Sequence, residues 1–309
     1  MLSICIPIYN YDMTKLVRML HRQADELGAA FEILLIDDCS DSMFQKKNRG
    51  LAELEWVRYE ELDQNIGRSR IRNLLMGKAK FDHLLFMDCD SEVPDADYLK
   101  RYYELIKDNS AKLVVYGGRT YHDAPESSEY WLHWLFGSNR EVRSATARSK
   151  NPWQSFMSNN FLIHKQILSL IPFNEKLAGY GHEDTLFGYE LKKHGQPIQH
   201  IDNPLLHAGL DTAEEFLEKT AQGLQNLLIV NDILKDDRGF IESVRVLKLG
   251  NQLQRLMLLK PFAALFSCTE KWTVHQLLGE KPRLWTLDYY KLGKICQYSL
   301  ARKSGIQET

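Results

Sequence analysis

Cysteine is scarce in this chain of 309 residues: five stand at positions 5, 39, 89, 268 and 296, and no two are spaced as CxxC. An odd number without that spacing argues against a disulfide framework and against a cysteine zinc site. Three of the five sit in or at the ends of apolar runs, as reduced, buried thiols do. Positive charge is not in excess either. Lys and Arg total 39 against 41 Asp and Glu, a net charge of −2. A dedicated nucleic-acid binder needs a basic excess to neutralise phosphates, so that class is set aside. No GxGxxG follows the first apolar run, which removes the pyrophosphate turn that a dinucleotide oxidoreductase requires. Long apolar runs are missing as well. The most apolar later stretch, Leu256 to Cys268, is broken by Lys260-Pro261 and falls short of the roughly 20 residues that span a bilayer. The opening MLSICIPIYNYD has neither a basic n-region nor a small-residue cleavage site, so no signal peptide is expected and a cytoplasmic protein is.

What is present is ordinary soluble composition, 44% apolar and 26% charged, in a length sufficient for one large α/β domain with an appendage or for two small domains. The charge is uneven. Residues 244–303 hold eleven Lys and Arg against three Asp and Glu, which suggests contact with an anionic surface. Neither an internal repeat nor a low-complexity segment is found.

The pattern along the chain alternates. Buried strands are expected at 2–8, 31–36, 54–59 and 83–87, with helical spacing at 12–28, 67–79 and 95–109 between and after them. Further strands are expected at 112–116, 156–163 and 197–201. Helices are expected at 129–136 and 165–170, from Glu183 to about His194, and at 212–235 and 240–258. Residues 119–155 otherwise read as a long irregular loop. Strands alternating with helices imply βαβ units and a mostly parallel sheet, which binds ligands at the carboxyl ends of its strands. Three polar clusters fall at such ends: Pro7-Ile8-Tyr9-Asn10, Asp37-Asp38 and Asp88-Cys89-Asp90.

Asp88 and Asp90, two residues apart at a strand end, form a pair that can hold a hard divalent cation against a diphosphate. An isolated pair of this kind is commonly a solvated acidic loop, so context decides. Asp37-Asp38 could equally open a helix as caps, but Ser40 or Asp41 can take that role and release Asp37 for a ligand. Glu183-Asp184 opens a helix after two glycines, where the helix dipole favours ionised carboxylates. Such a group can serve as a general base or merely cap the helix. His207 offers an imidazole suited to manganese-type ions, or a structural histidine.

Taken in order, Ile6-Pro7-Ile8-Tyr9-Asn10, Ile36-Asp37-Asp38-Cys39-Ser40, Asn65-Ile66-Gly67 leading to Arg72-Asn73, and Phe86-Met87-Asp88-Cys89-Asp90 resemble a family 2 glycosyltransferase of the GT-A fold, over residues 2 to about 210. The stretch Gly179 to Asp184 resembles the Glu-Asp motif of inverting enzymes with a galactosyltransferase-like C-terminal half. The resemblance implies roles. Pro7, Tyr9 and Asn10 line a uridine pocket. Asp37 binds base or ribose, and Asn65, Gly67 and Arg72 flank the nucleotide and donor sugar. Asp88 meets ribose or metal, Cys89 is a spacer between the two carboxylates, and Asp90 holds Mn2+ or Mg2+ with His207. Asp184 is the base and Glu183 positions acceptor or donor sugar. Arg68 and Arg70 depart from the small residues usual in the family and are expected to face solvent, with contact to phosphate as the alternative.

Trp153, Ser158, Asn159, Asn160 and His182 are candidates for the acceptor side, since aromatic faces and amides suit sugars, with a loop anchor as the equal alternative for Trp153; His182 and His200 are weaker candidates than His207 for the metal. Arg140, Arg143 and Arg148 are expected in a solvated loop, with an anionic contact as the alternative. The implied activity is inverting transfer of a hexose or N-acetylhexosamine from a UDP-sugar to a glycan or lipid-linked acceptor in cell-surface polysaccharide synthesis. A nucleotidyltransferase and a non-catalytic sugar-nucleotide-binding protein are the alternatives. The first would want a Gly-rich basic phosphate loop after the first strand, and the second would not need both acidic motifs. The expected organisation is a catalytic domain over 1–210, with nucleotide and acceptor halves meeting near 118, and a helical extension over 211–309. Basic and aromatic residues of 244–303 suit a peripheral membrane contact.

Overall fold

The structure, a computed structural model, describes residues 1–108, 113–177, 179–235 and 237–303. The expected helix end at 109, the strand start at 112 and the terminal residues 304–309 of the expected extension lie outside them. The elements run β1 (Leu2–Ile8), α1 (Thr14–Glu26), β2 (Phe31–Asp37), α2 (Ser42–Arg49), β3 (Val57–Glu61), α3 (Arg68–Lys78), β4 (His83–Met87), β5 (Ser91–Glu92), α4 (Tyr98–Asp108), β6 (Val114–Tyr116) and β7 (Arg119–Tyr121). They continue with α5 (Trp131–Phe136), α6 (Ala145–Arg148), β8 (Asn160–His164), α7 (Lys165–Leu170), α8 (Glu183–Lys193), β9 (Gln199–His200) and β10 (Leu205–His207). The helices α9 (Ala213–Ile233), α10 (Arg238–Ser243), α11 (Arg245–Arg255), α12 (Leu259–Leu277) and α13 (Leu284–Lys303) complete the chain.

The chain divides into two compact units. One comprises 1–122, 141–178 and 183–209; the other comprises 123–140, 179–182 and the residues from 210 onward. The segments 123–140 and 179–182, read from the sequence as part of the catalytic domain, thus group with the C-terminal helices.

In the first unit a seven-stranded sheet has the order β3-β2-β1-β4-β8-β6-β9. β1 pairs in parallel with β2 and β4, and β2 with β3. β8 runs antiparallel to both β4 and β6, so the α/β sheet is mixed and mostly parallel. Both faces are covered, which is why the strands read as unbroken apolar runs rather than as alternation. Ile4, Ile6 and Ile8 of β1 pack with Leu16, Val17 and Leu20 of α1. Cys5 faces the other core, with Phe86, Phe161 and Phe187. β3 starts later than the sequence suggests because Trp56 turns the chain at φ 65, ahead of the first paired residue, Val57.

Two features of this unit place polar groups. The sheet order reverses across β1, with β2 on one side and β4 on the other, and a crevice opens at the carboxyl ends of strands around such a switch point. Ile8 is in register with Asp37 there. Beside it lies a second sheet of three short strands, β5-β10-β7. Two of its strands, β7 and β10, together with α6, fall in or beyond the stretch read as irregular. Strands of two or three residues are too short to show a period.

In the second unit α9 starts with a capping box between Thr212 and Glu215, which satisfies two otherwise unpaired amide donors. Leu132, Phe216, Leu217, Phe266, Leu277, Leu287 and Tyr290 form its core. α12 and α13 approach so closely that a Cβ at Gly293 would lie 2.2 Å from the Phe266 ring. No helix among the described residues is long and apolar enough to cross a membrane.

Candidate active site

The acidic turn after β4 is pinned on both sides. Asp88 donates its amide to the Asn159 carbonyl, and the Asp90 carbonyl accepts the Ala208 amide at 2.9 Å. The antiparallel register of β5 with β10 sets His207 opposite Ser91, which brings the imidazole to the Asp90 carboxylate: His207 Nδ1 lies 3.5 Å from Asp90 Oδ1. Gly209 makes the approach possible, since a Cβ there would stand 2.9 Å from Asp90 Cβ.

Asp90 Oδ1 is buried and lacks a hydrogen bond of ordinary length. Burial pushes the Asp90 pKa up, but His207, Arg119 and Arg68 outweigh it and hold the carboxyl well below the usual range. An ionised carboxylate beside an imidazole fits a magnesium- or manganese-type ion. Among the described residues no three His, Cys, Asp or Glu side chains close into a complete cage. A cation here would therefore take these two side chains and draw further ligands from diphosphate oxygens and water.

Asp88 faces elsewhere. Its Oδ1 accepts from Arg72 Nη2 at 3.0 Å, and its Oδ2 lies 3.7 Å from Arg119 Nη2. Arg72 Nη1 reaches Glu183 Oε1 at 3.4 Å, and Arg119 Nη1 reaches Glu141 Oε2 at 3.1 Å. Glu183, Arg72, Asp88, Arg119 and Glu141 thus form a chain of alternating charge beneath the acidic turn. Arg72 is nearly sealed from solvent, at 2% exposure, and stacks over the Phe173 ring. A guanidinium so buried is tolerable only because carboxylates compensate it. Asp88, expected at the ribose or the metal, has both of its oxygens beside arginines. Arg119 and Glu141 were not singled out from the sequence. The one local signal is Gly117-Gly118 after an apolar strand, where a Cβ at Gly117 would collide with Tyr102, Asn160 and Asn203.

Glu183 and Asp184 open α8 in the first turn. Glu183 is buried and committed to Arg72, with Arg68 Nη1 3.6 Å away. Arg68 is exposed even so, and Arg70 is likewise exposed and lies 3.8 Å from Glu175. Asp184 is half-buried and accepts the Thr185 amide at 2.7 Å. Burial, then the neighbouring Glu183 charge, push its pKa up to about 7, against the Thr185 amide and Arg72, which pull it down. A carboxylate titrating near neutrality is poised for proton transfer at ordinary pH.

On the nucleotide side, Tyr9 is 55% exposed after β1, and Asn10 turns at φ 50 while its side chain accepts the Asp41 amide. Pro7 is half-buried at the end of β1, and Asn65 is exposed and donates to the Asp38 carbonyl. Gly67 has φ 83, a conformation glycine adopts without strain, at the N-terminus of α3. Asp38, not Asp37, receives the loop: its carboxylate accepts the Ile66 and Gly67 amides at 2.7 and 3.0 Å. Asp37 is fully buried and spends its oxygens on the Ser40 amide and the Tyr59 hydroxyl. The expectation that Ser40 would free Asp37 for a base or ribose is thus overturned. Cys89 is a protonated spacer, its pKa pushed up to about 12 by burial. All five cysteines are free; Cys5 and Cys296 are buried, Cys39 and Cys89 half-buried, and Cys268 is exposed.

Several of the remaining candidates make contacts within the fold. Asn160 is sealed off: it accepts from Tyr98 and Tyr102 and donates to the Gly118 and Asn203 carbonyls. Asn159 and Ser158 are buried, Asn159 being bonded to Tyr116. Trp153 packs edge-on to Tyr189 of α8 under Lys192. His200 bonds the Pro152 carbonyl and Arg148. Arg148 is no loop cation. It is buried and donates to the Gly117 and Ile201 carbonyls. Arg143 remains exposed at the rim of a cavity of about 190 Å3 that Arg119 and Ser144 also line. In the helical unit, His182 stands at φ 68 and Arg140 pairs with Asp288 at 3.0 Å.

Comparison with known proteins places the fold and the family. A chondroitin synthase of Escherichia coli is 23% identical over 239 residues, which is 67% of this chain and 34% of that protein. The chain therefore spans about a third of that relative's length. Among solved structures, S. aureus TarS residues 1–349 matches with a TM-score of 0.52 at 17% identity, covering 100% of this chain and 93% of that one. A mannosyltransferase from Pyrobaculum calidifontis, solved with GDP-Man and Mn2+, matches with a TM-score of 0.57 at 14% identity, covering 99% and 86%. At such identities the structural likeness speaks for the fold alone. The family model described as glycosyl transferase family 2 matches residues 3–170, more than half of the sequence, and the chain belongs to that family, enzymes that transfer sugar from a nucleotide sugar.

Proposed function

We propose that this glycosyltransferase is an inverting enzyme. It moves a hexose or N-acetylhexosamine from a UDP-sugar to a hydroxyl of a glycan or lipid-linked acceptor, with Asp184 as base. One observation carries the reading. Asp184 is a half-open carboxylate raised to about 7, and its neighbour Glu183 is tied through Arg72 to Asp88 of the acidic turn. The base and the diphosphate-binding turn are therefore held in fixed relation, as an in-line displacement needs.

In this reading Tyr9 and Asn10 flank the base, and Gly67 with the first turn of α3 borders the diphosphate. Asp90 and His207 hold the divalent cation. When bound there, manganese or magnesium offsets the charge on the departing nucleoside diphosphate. Asp184 takes the proton of the acceptor hydroxyl as that oxygen attacks the anomeric carbon. The bond to the diphosphate oxygen breaks on the opposite face, its electron pair leaves with the nucleotide, and the configuration inverts. Glu183, held by Arg72, keeps Asp184 oriented and raises its basicity. The reading places the enzyme at the cytoplasmic face of a membrane, in peripheral contact through residues 244–303, with cell-surface polysaccharide as the product class.

A nucleotide screen by thermal shift, with and without Mn2+, tests it together with the anomeric configuration of the product by NMR. The expected result is stabilisation by UDP that needs metal, with inversion. Metal-independent stabilisation by NAD, or retention, would overturn it.

A further inference from the structure

The outer face of α12 carries a stripe that nothing within its own unit covers. Leu258, Pro261, Leu265, Cys268 and Trp272 follow one another at spacings of three and four, which keeps them on one side of a helix. All five are exposed, Leu265 and Trp272 at 57% each. The inner face is already used: Leu259, Ala263, Phe266, Thr273 and Leu277 are its buried residues. Next to the stripe, Trp285 of α13 is exposed at 54%, its ring 6.5 Å from that of Trp272. At the other end the turn before α12 presents Leu256 and Met257, both exposed.

Cations surround this apolar band. Arg255, Lys260, Lys271, Lys281 and Arg283 are exposed. Among the described residues none of the five forms an ion pair, whereas Lys294 is paired with Glu270, and Arg140 and Arg245 share Asp288. Lys260 and Lys271 border the stripe along the helix. An apolar band with two tryptophans, rimmed by five unpaired cations, matches a layer that is hydrocarbon below and anionic at its surface. It matches a second copy of the same face poorly, because a two-fold contact would set these cations against themselves. The helix is too polar to cross the bilayer, so it would lie in the interface.

We infer that the outer face of α12, with the Trp272–Trp285 pair, docks on an anionic lipid bilayer. This gives a defined surface to the membrane contact of the proposed reading and needs none of its chemistry. Its test therefore reads binding, with sugar-nucleotide turnover followed separately in vesicle-free solution.

The full chain should co-sediment with vesicles of phosphatidylglycerol and phosphatidylcholine, not with phosphatidylcholine alone, and high salt should release it. Leu265→Glu, at an exposed position where the fold is kept, should lower partitioning at least tenfold with its melting temperature unchanged. The double change Lys260→Gln and Lys271→Gln should lower it roughly thirtyfold, since each cation near an anionic surface is worth about a fivefold factor. Brominated lipids should quench the tryptophan emission, and replacing Trp272 and Trp285 by Phe should remove that quenching. Absence of co-sedimentation, or equal partitioning by these variants, would overturn the inference. So would a dimer that Leu265→Glu disperses without any vesicle binding, which would assign the face to a second copy.

Discussion

Arg72 donates to Asp88 Oδ1 at 3.0 Å with one nitrogen and stands 3.4 Å from Glu183 Oε1 with another. The two carboxylates are 95 residues apart in the chain, as their numbers give, and one belongs to the acidic turn while the other opens α8. A single buried guanidinium therefore fixes the geometry between them.

Arg72→Met should leave both carboxylates without their shared partner. Breaking a buried pair from one side costs on the order of 3–5 kcal/mol, so a large fall in melting temperature is expected at neutral pH. Because the stranded groups are acids, protonating them should recover part of the loss, and the gap to the parent should narrow as pH falls toward 4. Arg72→Lys should keep the charge but not two-pronged contact, giving a smaller stability loss with turnover reduced more than stability. A parallel loss in both variants, independent of pH, would contradict this account.

Asp90→Asn and His207→Ala should each raise the Mn2+ concentration needed for half-maximal activity, by about one to two orders of magnitude, because each removes one of the two proposed protein donors. Gly209→Ala should act in the same direction with the donors intact, since its Cβ would press on Asp90 at 2.9 Å. Asp88→Asn should behave differently and weaken stability through Arg72 and Arg119. Metal titrations of activity, beside melts of the apo proteins, separate the two patterns.

Asn160→Leu should be among the most damaging changes outside the site. It strands two tyrosine hydroxyls and two carbonyls in a sealed environment, each at a cost of about 1–3 kcal/mol. Thermal or urea unfolding would show the drop.

How much of this was legible beforehand depended on range. β1, β2 and β4 could be read because both faces are buried and the runs are continuously apolar. The acidic turn and the Glu183-Asp184 pair could be read because each sits at the end of a recognisable element. Asp37 misled because two adjacent carboxylates at a strand end look alike in sequence. Both sides of β2 are buried, so alternation does not separate them: Asp37 continues the Ile33–Leu35 side and meets Tyr59, while Asp38 continues the Leu34–Ile36 side and meets the loop at Gly67. Arg119 was hidden because its partners, Asp88 and Glu141, lie 31 residues before it and 22 after it. Asn160 resembled a sugar-binding amide, and its burial is settled by Tyr98, Tyr102 and Asn203, which local spacing does not reveal.

The pH behaviour of Asp184 gives the sharpest test of its role. Its folded pKa, about 7, lies above that of an unfolded aspartate, near 3.9, because burial disfavours the charged form. Linkage then requires that its contribution to stability is fully present below the unfolded value and is lost as pH rises through the folded one. Activity should move the opposite way, since a base must be unprotonated: kcat should rise across pH 6–8 and level off above. Asp184→Asn removes both effects. Its turnover should fall by about 10³-fold or more, within the range of lost general-base catalysis, and the residual rate should lose the rise near 7. Its melting temperature should match the parent's near pH 4 and exceed it increasingly toward pH 8. An Asp184→Asn enzyme that keeps the parent's pH–rate profile would place the base elsewhere, and a parent whose stability rises through pH 7 would mean that Asp184 is already ionised well below neutrality.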